Sequence, residues 1–189
     1  MSKNYQTIQH ADGTIEEGLF PTLDWFDKIK KHIKFKGNSV LDVGCCTGML
    51  SILSLLEGAS EVAGIEKEIE NCNVAVGLAE EYKVDLALVN ERVEDISLDE
   101  HFDIVLFPMI IHWIGEGETK RLITWANKYV VFIYREKNEG YNHPDNGIWF
   151  PSQKELDSLK TLKLVHSETL MEQDNGKKIN LAIYEKFIS

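Results

Sequence analysis

The sequence predicts an α/β domain in which helices cover both faces of a mostly parallel sheet, and the sheet ends in an antiparallel pair of strands. Short runs rich in β-branched residues alternate with helical patterns, as in parallel sheets covered by helices. The apolar residues of the first five runs are continuous, which is typical of strands buried on both faces. Near the end, Asp174-Asn175-Gly176 separates two further strand patterns, and Asn-Gly is a strong hairpin signal because both residues accept a positive φ.

Seven strands are expected from these patterns. The first five cover residues 39–43, 61–66, 86–90, 102–107 and 129–134, and the closing pair covers residues 162–170 and 178–187. A length of 189 residues is sufficient for one domain with a substantial core. We therefore expect a single α/β domain over residues 37–189, preceded by an N-terminal lid segment and helix over residues 1–36.

Helical patterns fill the intervals between the strands. Three helices are expected over residues 48–57, 68–83 and 118–128. A fourth precedes the first strand, with Thr22 as its candidate N-cap, because apolar residues follow at every third or fourth position. The aromatic-rich residues 18–26 are open to two interpretations, as a lid over a ligand or as core residues that pack a helix on the sheet.

Composition and charge limit the classes of partner. The formal charge of −11 disfavours a nucleic-acid partner without excluding it, because nucleic-acid binders neutralise phosphates with clustered Lys and Arg. The densest basic stretch, residues 28–32, is interpreted as the solvated face of an amphipathic helix. No apolar run has the length of a membrane helix and the N-terminus has no secretory pattern, so we expect a cytoplasmic protein with no membrane association.

No metal site is expected. Cys45 and Cys46 are adjacent and Cys72 stands alone, which matches neither a disulfide framework nor a paired Cys-x-x-Cys metal site. The six histidines are scattered without the spacing of metal ligands. We interpret Cys45 and Cys46 as packing and loop residues and not as nucleophiles.

A turn of small residues after the first strand predicts a ligand site. The strand ends in Asp42, and a helix begins near Gly48. Ligands of open α/β sheets bind outside the carboxyl ends of the strands, where glycines allow the backbone to approach them closely. Glu66 ends the second strand, where a carboxylate can accept both hydroxyls of a ribose. Together these features predict an adenosine-type nucleoside across the first two strands.

The spacing of the turn limits which nucleoside it binds. A dinucleotide loop requires Gly-x-Gly-x-x-Gly and a nucleotide P-loop requires a lysine after its last glycine, whereas this chain has Gly44-x-x-x-Gly48 without that lysine. Asp42 would repel a pyrophosphate but suits a ligand with a positive amino group. S-adenosylmethionine, which carries one ammonium and one sulfonium, fits this requirement.

The loop resembles motif I of the Rossmann-like (class I) S-adenosylmethionine-dependent methyltransferases over the residues Val40-Leu41-Asp42-Val43-Gly44-Cys45-Cys46-Thr47-Gly48. Glu66 is similar in position to the family's ribose-binding acid, and Phe102-Asp103-Ile104-Val105 resembles its fourth-strand motif. The resemblance covers roughly residues 20 to 187, because the family's sheet also ends in an antiparallel hairpin. It implies a single-domain Rossmann-like methyltransferase fold, with S-adenosylmethionine as the cofactor of residues 37–189.

The resemblance also implies how the cofactor is held. The loop backbone around residues 44–46 holds the methionine portion, Glu66 holds the ribose, Arg92 and Val93 flank the adenine, and Phe107 lines the pocket. The expected cofactor-binding residues are Asp42, Gly44, Cys45, Cys46, Gly48, Glu66, Lys67, Arg92, Val93 and Phe107. The chain departs from the family at Cys46, where a glycine is usual. Several polar side chains in residues 90–95 leave the register of the adenine contacts open.

The acceptor is expected over the ends of the fourth and fifth strands. Methyl transfer from a sulfonium is a direct displacement, which requires alignment, exclusion of water and in some cases removal of a proton. Residues 108–113 follow the fourth strand, and the long loop of residues 139–151, rich in Gly, Pro and aromatic residues, is interpreted as a binding loop. His112 is a weak candidate for a general base, since a packed histidine is the commoner case.

Three functional hypotheses follow. The first is an S-adenosylmethionine-dependent methyltransferase that acts on a small-molecule or otherwise limited acceptor. The second is a catalytically inactive nucleoside-binding sensor or partner subunit. The third, an NAD-dependent oxidoreductase, is disfavoured by the spacing of the glycine loop and by the closing hairpin.

Overall fold

The computed structural model describes residues 4–136, 151–159, 161–173 and 176–187. These residues form two compact units, residues 1–96 and residues 97–189, which are described separately below. The expected binding loop lies outside the described residues over positions 139–150, as do Asp174 and Asn175 of the expected hairpin turn. The division of the chain into residues 1–36 and 37–189 stays a prediction.

The described residues of the first unit contain seven strands, three α-helices and one short 3-10 helix. Its elements are β1 (Asn4–Gln6), β2 (Ile8–Gln9), β3 (Ile15–Glu16), β4 (Gly18–Phe20), α1 (Thr22–Ile29), β5 (Ser39–Val43), α2 (Met49–Leu56), β6 (Glu61–Ile65), α3 (Ile69–Tyr82), β7 (Ala87–Val89) and a short 3-10 helix (Val93–Asp95). Strand β6 pairs in parallel with β5 on one side and β7 on the other. Every residue of β5 is buried, as its continuous apolar pattern predicts. The first three expected strands are confirmed.

Four short strands at the N-terminus are absent from the prediction. Strand β1 pairs in parallel with β4, and β2 pairs antiparallel with β3. Strands of two or three residues are too short to show a hydrophobic period. At Gly18 a Cβ would lie 2.1 Å from the carbonyl carbon of Gln6, so only glycine permits this approach of the two backbones.

Helix α1 begins as expected, but its N-cap is not the predicted residue. The N-cap is Pro21, and no side chain caps the helix. Thr22 is the first helical residue, and its hydroxyl donates to the carbonyl of Phe20 at 3.3 Å instead of capping the following turn. The prediction of Thr22 as N-cap is therefore wrong. Phe20, Trp25 and Phe26 are buried, as the core interpretation of this segment requires.

Four strands and two helices lie in the part of the second unit that the structure describes. Its elements are β8 (Phe102–Pro108), α4 (Ile111–Ile123), β9 (Ala126–Arg135), α5 (Gln153–Asp157), β10 (Leu162–Glu172) and β11 (Lys178–Lys186). Strands β8 and β9 are parallel, whereas β11 is antiparallel to both β9 and β10. The two units together supply the seven strands of the expected sheet, with an antiparallel closing pair. The predicted fold class is confirmed.

Helix α4 lies earlier in the chain than its pattern indicates. It spans residues 111–123 instead of 118–128, and β9 already begins at Ala126. Gly115 has φ 80° and ψ 175° inside the helix, and Gly117 follows it, so the first turns lack a strong helical signature. Within the described part of the chain, no helix is both long and apolar enough to cross a membrane.

Candidate functional site

The turn between β5 and α2 is held by the end of the neighbouring strand. The backbone N–H groups of Gly44 and Cys45 both donate to the carbonyl of Ile65, at 2.8 and 3.0 Å. Gly44 and Gly48 have positive φ values of 71° and 74°. This path turns the chain back at the end of β5 and brings the start of α2 to the same edge of the parallel strands. The predicted Gly44-x-x-x-Gly48 loop is therefore a defined turn.

Two positions in this loop carry backbone strain or close packing. A Cβ at Gly48 would lie 2.8 Å from the Cβ of Ala75 in α3, so glycine permits the contact between the loop and that helix. Cys46 has φ 53°, in the left-handed region that favours glycine. The related family usually has glycine at this position, and the positive φ of Cys46 gives the physical reason.

Asp42 places a buried carboxylate beneath the loop. Its Oδ2 accepts a hydrogen bond from the hydroxyl of Ser51 at 2.7 Å, while its Oδ1 is buried and has no partner among the described residues. The pKa of Asp42 is raised to about 7, mainly by burial; the Ser51 hydrogen bond opposes this rise, and the nearby carboxylate of Glu66 adds to it. A positive group placed near Oδ1 would stabilise the ionised form of this carboxylate.

Glu66 joins the loop to the start of α3. One of its carboxylate oxygens accepts from the backbone N–H of Cys46 at 2.9 Å, and the other accepts from the backbone N–H of Glu68 at 2.8 Å. Each oxygen of a carboxylate has a second lone pair, so both oxygens can also accept a hydroxyl hydrogen. The carboxylate is thus held in place with acceptor capacity for a vicinal diol such as ribose.

The end of the third strand contributes Asn90, whose role the sequence left undefined. Its side-chain amide donates to the carbonyls of Glu66 and Lys67, at 2.9 and 3.0 Å. Asn90 therefore fixes the carboxyl end of β6. Val93 is buried, whereas Arg92 is exposed and pairs with Glu94 at 3.2 Å. Lys67 is exposed and its ammonium lies 3.3 Å from the carboxylate of Glu68.

The second unit holds the remaining two candidate residues. Phe107 is fully buried in β8, and its ring stacks on Phe132 with 5.1 Å between centroids. His112 is buried at the start of α4, and burial lowers its pKa to about 4, helped by the positive charge of Arg135. The imidazole is therefore neutral near pH 7 and only weakly basic. Its neighbour Trp113 is 66% exposed.

Comparison with known proteins identifies relatives of this chain. A family model described as a methyltransferase domain matches residues 40–130. The ribosomal protein L11 methyltransferase of Aquifex aeolicus (strain VF5) is 36% identical over 124 residues, which is 64% of this chain and 49% of that protein. Protein arginine N-methyltransferase 1 of Schizosaccharomyces pombe is 31% identical over 164 residues, which is 82% of this chain and 44% of that protein. The chain thus spans 49% and 44% of the lengths of these two relatives.

A solved structure extends the likeness to the whole fold. The crystal structure of magnesium protoporphyrin IX methyltransferase from Synechocystis PCC 6803 with bound SAH (S-adenosylhomocysteine) matches with a TM-score of 0.71 at 14% identity, covering 88% of this chain and 84% of that chain. Residues 40–130 therefore match a methyltransferase domain, and the fold is that of the class I S-adenosylmethionine-dependent methyltransferases.

The first unit fits S-adenosylmethionine, the cofactor of this family. The unpartnered Oδ1 of Asp42 suits the ammonium of the methionine portion, and the carboxylate of Glu66 suits the ribose. The positive φ of Gly44, Cys46 and Gly48 opens the loop backbone to a ligand. The geometry thus gives a reason for Asp42, Glu66 and the three loop residues with positive φ. The assignment of all ten residues to the cofactor, with Cys45, Lys67, Arg92, Val93 and Phe107 included, stays a prediction.

The two cysteines of the methyltransferase loop are buried thiols. Burial raises the pKa of Cys46 to about 12, and it raises the pKa of Cys45 well above its ordinary value. Both therefore remain protonated, as expected for packing residues. The side chain of Cys45 lies against Gly64, where a Cβ would come within 2.8 Å of its sulfur.

Two residues near the loop have no signal in the sequence. Ser51 bonds Asp42 from the first turns of α2, and a serine nine positions after an aspartate is not a recognisable motif. Gln6 in β1 accepts a hydrogen bond from the hydroxyl of Thr47 at 2.8 Å, across 41 positions of sequence. Only the pairing of the short N-terminal strands brings Gln6 to the loop.

Proposed function

We propose that this protein transfers a methyl group from S-adenosylmethionine to a neutral small molecule, or to another acceptor of limited size. The bound cofactor would supply a methyl carbon activated by its sulfonium. The acceptor's nucleophile bonds to that carbon as the carbon–sulfur bond breaks, the electron pair stays on sulfur, and the acceptor's proton passes to water or a base. The products are the methylated acceptor and S-adenosylhomocysteine.

The residues of the first unit support the cofactor half of this proposal. Asp42 offers a buried carboxylate oxygen without a partner among the described residues, which complements an ammonium. Glu66 offers two positioned oxygens to a ribose diol. Their role is to bind and orient the nucleoside, because alignment of the reacting atoms accounts for much of the catalysis in a direct displacement.

The segment from β8 into the start of α4 supports a neutral acceptor, and this observation carries the proposal. Residues 104–115 contain no Asp or Glu, and His112 is their single titratable side chain. Its lowered pKa makes that imidazole neutral near pH 7. A cationic acceptor such as a guanidinium, placed beside a cationic sulfonium, would require a carboxylate to offset the repulsion. The apolar residues there, with exposed Trp113, suit an acceptor with an apolar or planar face.

The relatives act on acceptors of more than one kind. The names of the ribosomal protein L11 and arginine methyltransferases indicate protein acceptors, whereas the name of the magnesium protoporphyrin IX methyltransferase indicates a small molecule. The relatives therefore leave the acceptor open. The chemistry of residues 104–115 supports a neutral acceptor with an apolar face.

Transfer of a radioactive methyl group tests the proposal. Purified protein and S-adenosylmethionine labelled in the methyl group are incubated separately with the low-molecular-mass fraction and the protein fraction of an extract of the source cells. We expect label in the small molecules, and we expect the Glu66→Ala variant to transfer none. Labelling confined to the protein fraction would contradict a small acceptor. S-adenosylhomocysteine binding without labelling of either fraction would favour an inactive nucleoside-binding protein.

A further inference from the structure

The N-terminal strap, residues 4–20, runs across the first unit and is anchored at several points. Ile8 is buried in a cluster with Met49, Ile52 and Leu78. The hydroxyl of Tyr82 donates to the carbonyl of Gln9 at 2.9 Å. These contacts hold the strap against α2 and α3, the two helices that pack around the cofactor loop.

One buried side-chain hydrogen bond connects the strap to the loop itself. Gln6 is 4% exposed, and its Oε1 accepts from the hydroxyl of Thr47 at 2.8 Å. Thr47 lies between Cys46 and Gly48, two residues with positive φ. Gln6 therefore lies beside the segment of loop backbone that the methionine portion of the cofactor is expected to approach.

The amide nitrogen of Gln6 is a donor available for a ligand. A glutamine amide has two N–H donors on Nε2, and no described residue accepts from that atom. The residue as a whole is 4% exposed, and a ligand acceptor placed beside Nε2 would complete the hydrogen bonding of this amide. The methionine portion of S-adenosylmethionine carries a carboxylate as well as an ammonium. Asp42 complements the ammonium by charge, which leaves the carboxylate in need of a donor.

We propose that Gln6 binds the carboxylate of the cofactor's methionine portion through Nε2, while its Oε1 positions Thr47. This inference rests on the proposed use of S-adenosylmethionine, and it does not depend on the acceptor. The strap then becomes part of the cofactor site, because Gln6, which precedes the α/β domain, contributes to recognition of the methionine portion.

Binding of two related nucleosides tests this role. S-adenosylhomocysteine has the amino-acid portion, whereas 5′-methylthioadenosine has the same adenine and ribose without it. In Gln6→Glu the acceptor for Thr47 is kept and the donor becomes a negative oxygen. We expect calorimetry to show affinity for S-adenosylhomocysteine reduced by about 10- to 100-fold, with affinity for methylthioadenosine within about twofold of wild type.

Two further variants make the test specific. Gln6→Met removes the donor without adding charge, and we expect a smaller loss that is again confined to S-adenosylhomocysteine. Gln9→Glu adds the same charge elsewhere in the strap, at a residue whose hydrogen bonds to Met49 and Tyr82 come from its backbone. We expect this variant to show no selective loss of affinity for S-adenosylhomocysteine. Thermal unfolding of each variant verifies that it is folded.

The possible contrary results are distinct. An equal loss for both nucleosides in Gln6→Glu and Gln6→Met would show that Gln6 only supports the loop, and would overturn the proposal. Unchanged affinity for both would overturn it as well. If wild-type protein binds neither nucleoside, the cofactor assignment itself fails, and the role of Gln6 fails with it.

Discussion

The carboxylate of Glu66 accepts a hydrogen bond at 2.9 Å from the backbone N–H of Cys46, 20 positions earlier in the chain. The same carboxylate accepts from the N–H of Glu68, the N-cap residue of α3. Glu66 thus joins the two segments expected to hold the methionine and ribose portions of the cofactor. A change at Glu66 therefore acts on both portions.

Replacement of Glu66 by glutamine is expected to weaken cofactor binding. Glutamine keeps one carbonyl acceptor but loses the charge and the second acceptor, so one backbone N–H and one ribose hydroxyl lose a charge-assisted bond. We expect affinity for S-adenosylhomocysteine to fall by about 10- to 100-fold in calorimetry. Glu68→Gln, which changes the neighbouring exposed carboxylate, is the matched control and should bind normally. Equal affinities for Glu66→Gln and wild type would remove Glu66 from the site.

Replacement of Gly48 by alanine is expected to destabilise the first unit. The residue has φ 74°, and the new Cβ would lie 2.8 Å from the Cβ of Ala75. We expect the free energy of unfolding in urea to fall by about 1–3 kcal/mol. Gly77→Ala in α3 is the control, because its Cβ meets nothing within 4 Å. That variant should be more stable by about 0.5–1 kcal/mol, and a Gly48 variant equally stable would contradict the packing described.

The raised pKa of Asp42 predicts a pH dependence of stability. Its pKa is about 7 in the folded protein against an ordinary value of 3.8, so the native state binds more protons than the unfolded state between these values. The contribution is full below about pH 3.8 and is lost as the pH rises to about 7, a change of about 1–4 kcal/mol. Asp42→Asn should lack this loss. The free energy of unfolding in urea is measured against pH for both proteins, and because His10 and His112 titrate in both, the difference between the two curves isolates Asp42. Curves that run parallel across this pH range would refute the raised pKa of Asp42.

The histidine of the strap, His10, predicts a second and smaller dependence of stability on pH. His10 lies 3.0 Å from Glu81 and 3.2 Å from Glu16, with Asp12 also near, and the hydrogen bonds to Glu81 and Glu16 raise its pKa. The contribution is fully present below the unfolded pKa of about 6.5 and is lost as the pH rises through the folded pKa. His10→Gln should therefore cost about 0.3–1 kcal/mol at about pH 5.5 and less at about pH 8.5. His101→Gln, at an exposed position, is the control, and a cost at His10 that rises with pH would contradict the prediction.

Most of the sheet could be predicted from the sequence, because strands buried on both faces consist mainly of apolar residues. All five residues of β5 are buried and three of them, Val40, Leu41 and Val43, are apolar, and the closing pair of strands has an equally clear pattern. The loop and Glu66 were found for a related reason, since a ligand site at the end of two adjacent parallel strands has a fixed spacing in sequence.

The remaining parts depend on contacts that no local pattern records. Gln6 reaches Thr47 through pairing of strands two and three residues long, and Asn90 reaches the end of β6 only after the sheet has formed. The start of α4 could not be predicted because Gly115 weakens the helical pattern of the sequence there. Thr22 has the residue type of an N-cap, but its hydroxyl bonds the chain before it.

The close approach of Gly18 to Gln6 constrains which residues of this sequence can change independently during evolution. Any side chain at position 18 would force β1 away from β4, because the first atom beyond Cα would collide with the backbone of Gln6. Such a change would withdraw the Gln6 amide from Thr47, 29 positions beyond Gly18 in the chain. Homologues that keep a glutamine and a threonine at these two places are therefore expected to keep the glycine with them, and to lose all three together.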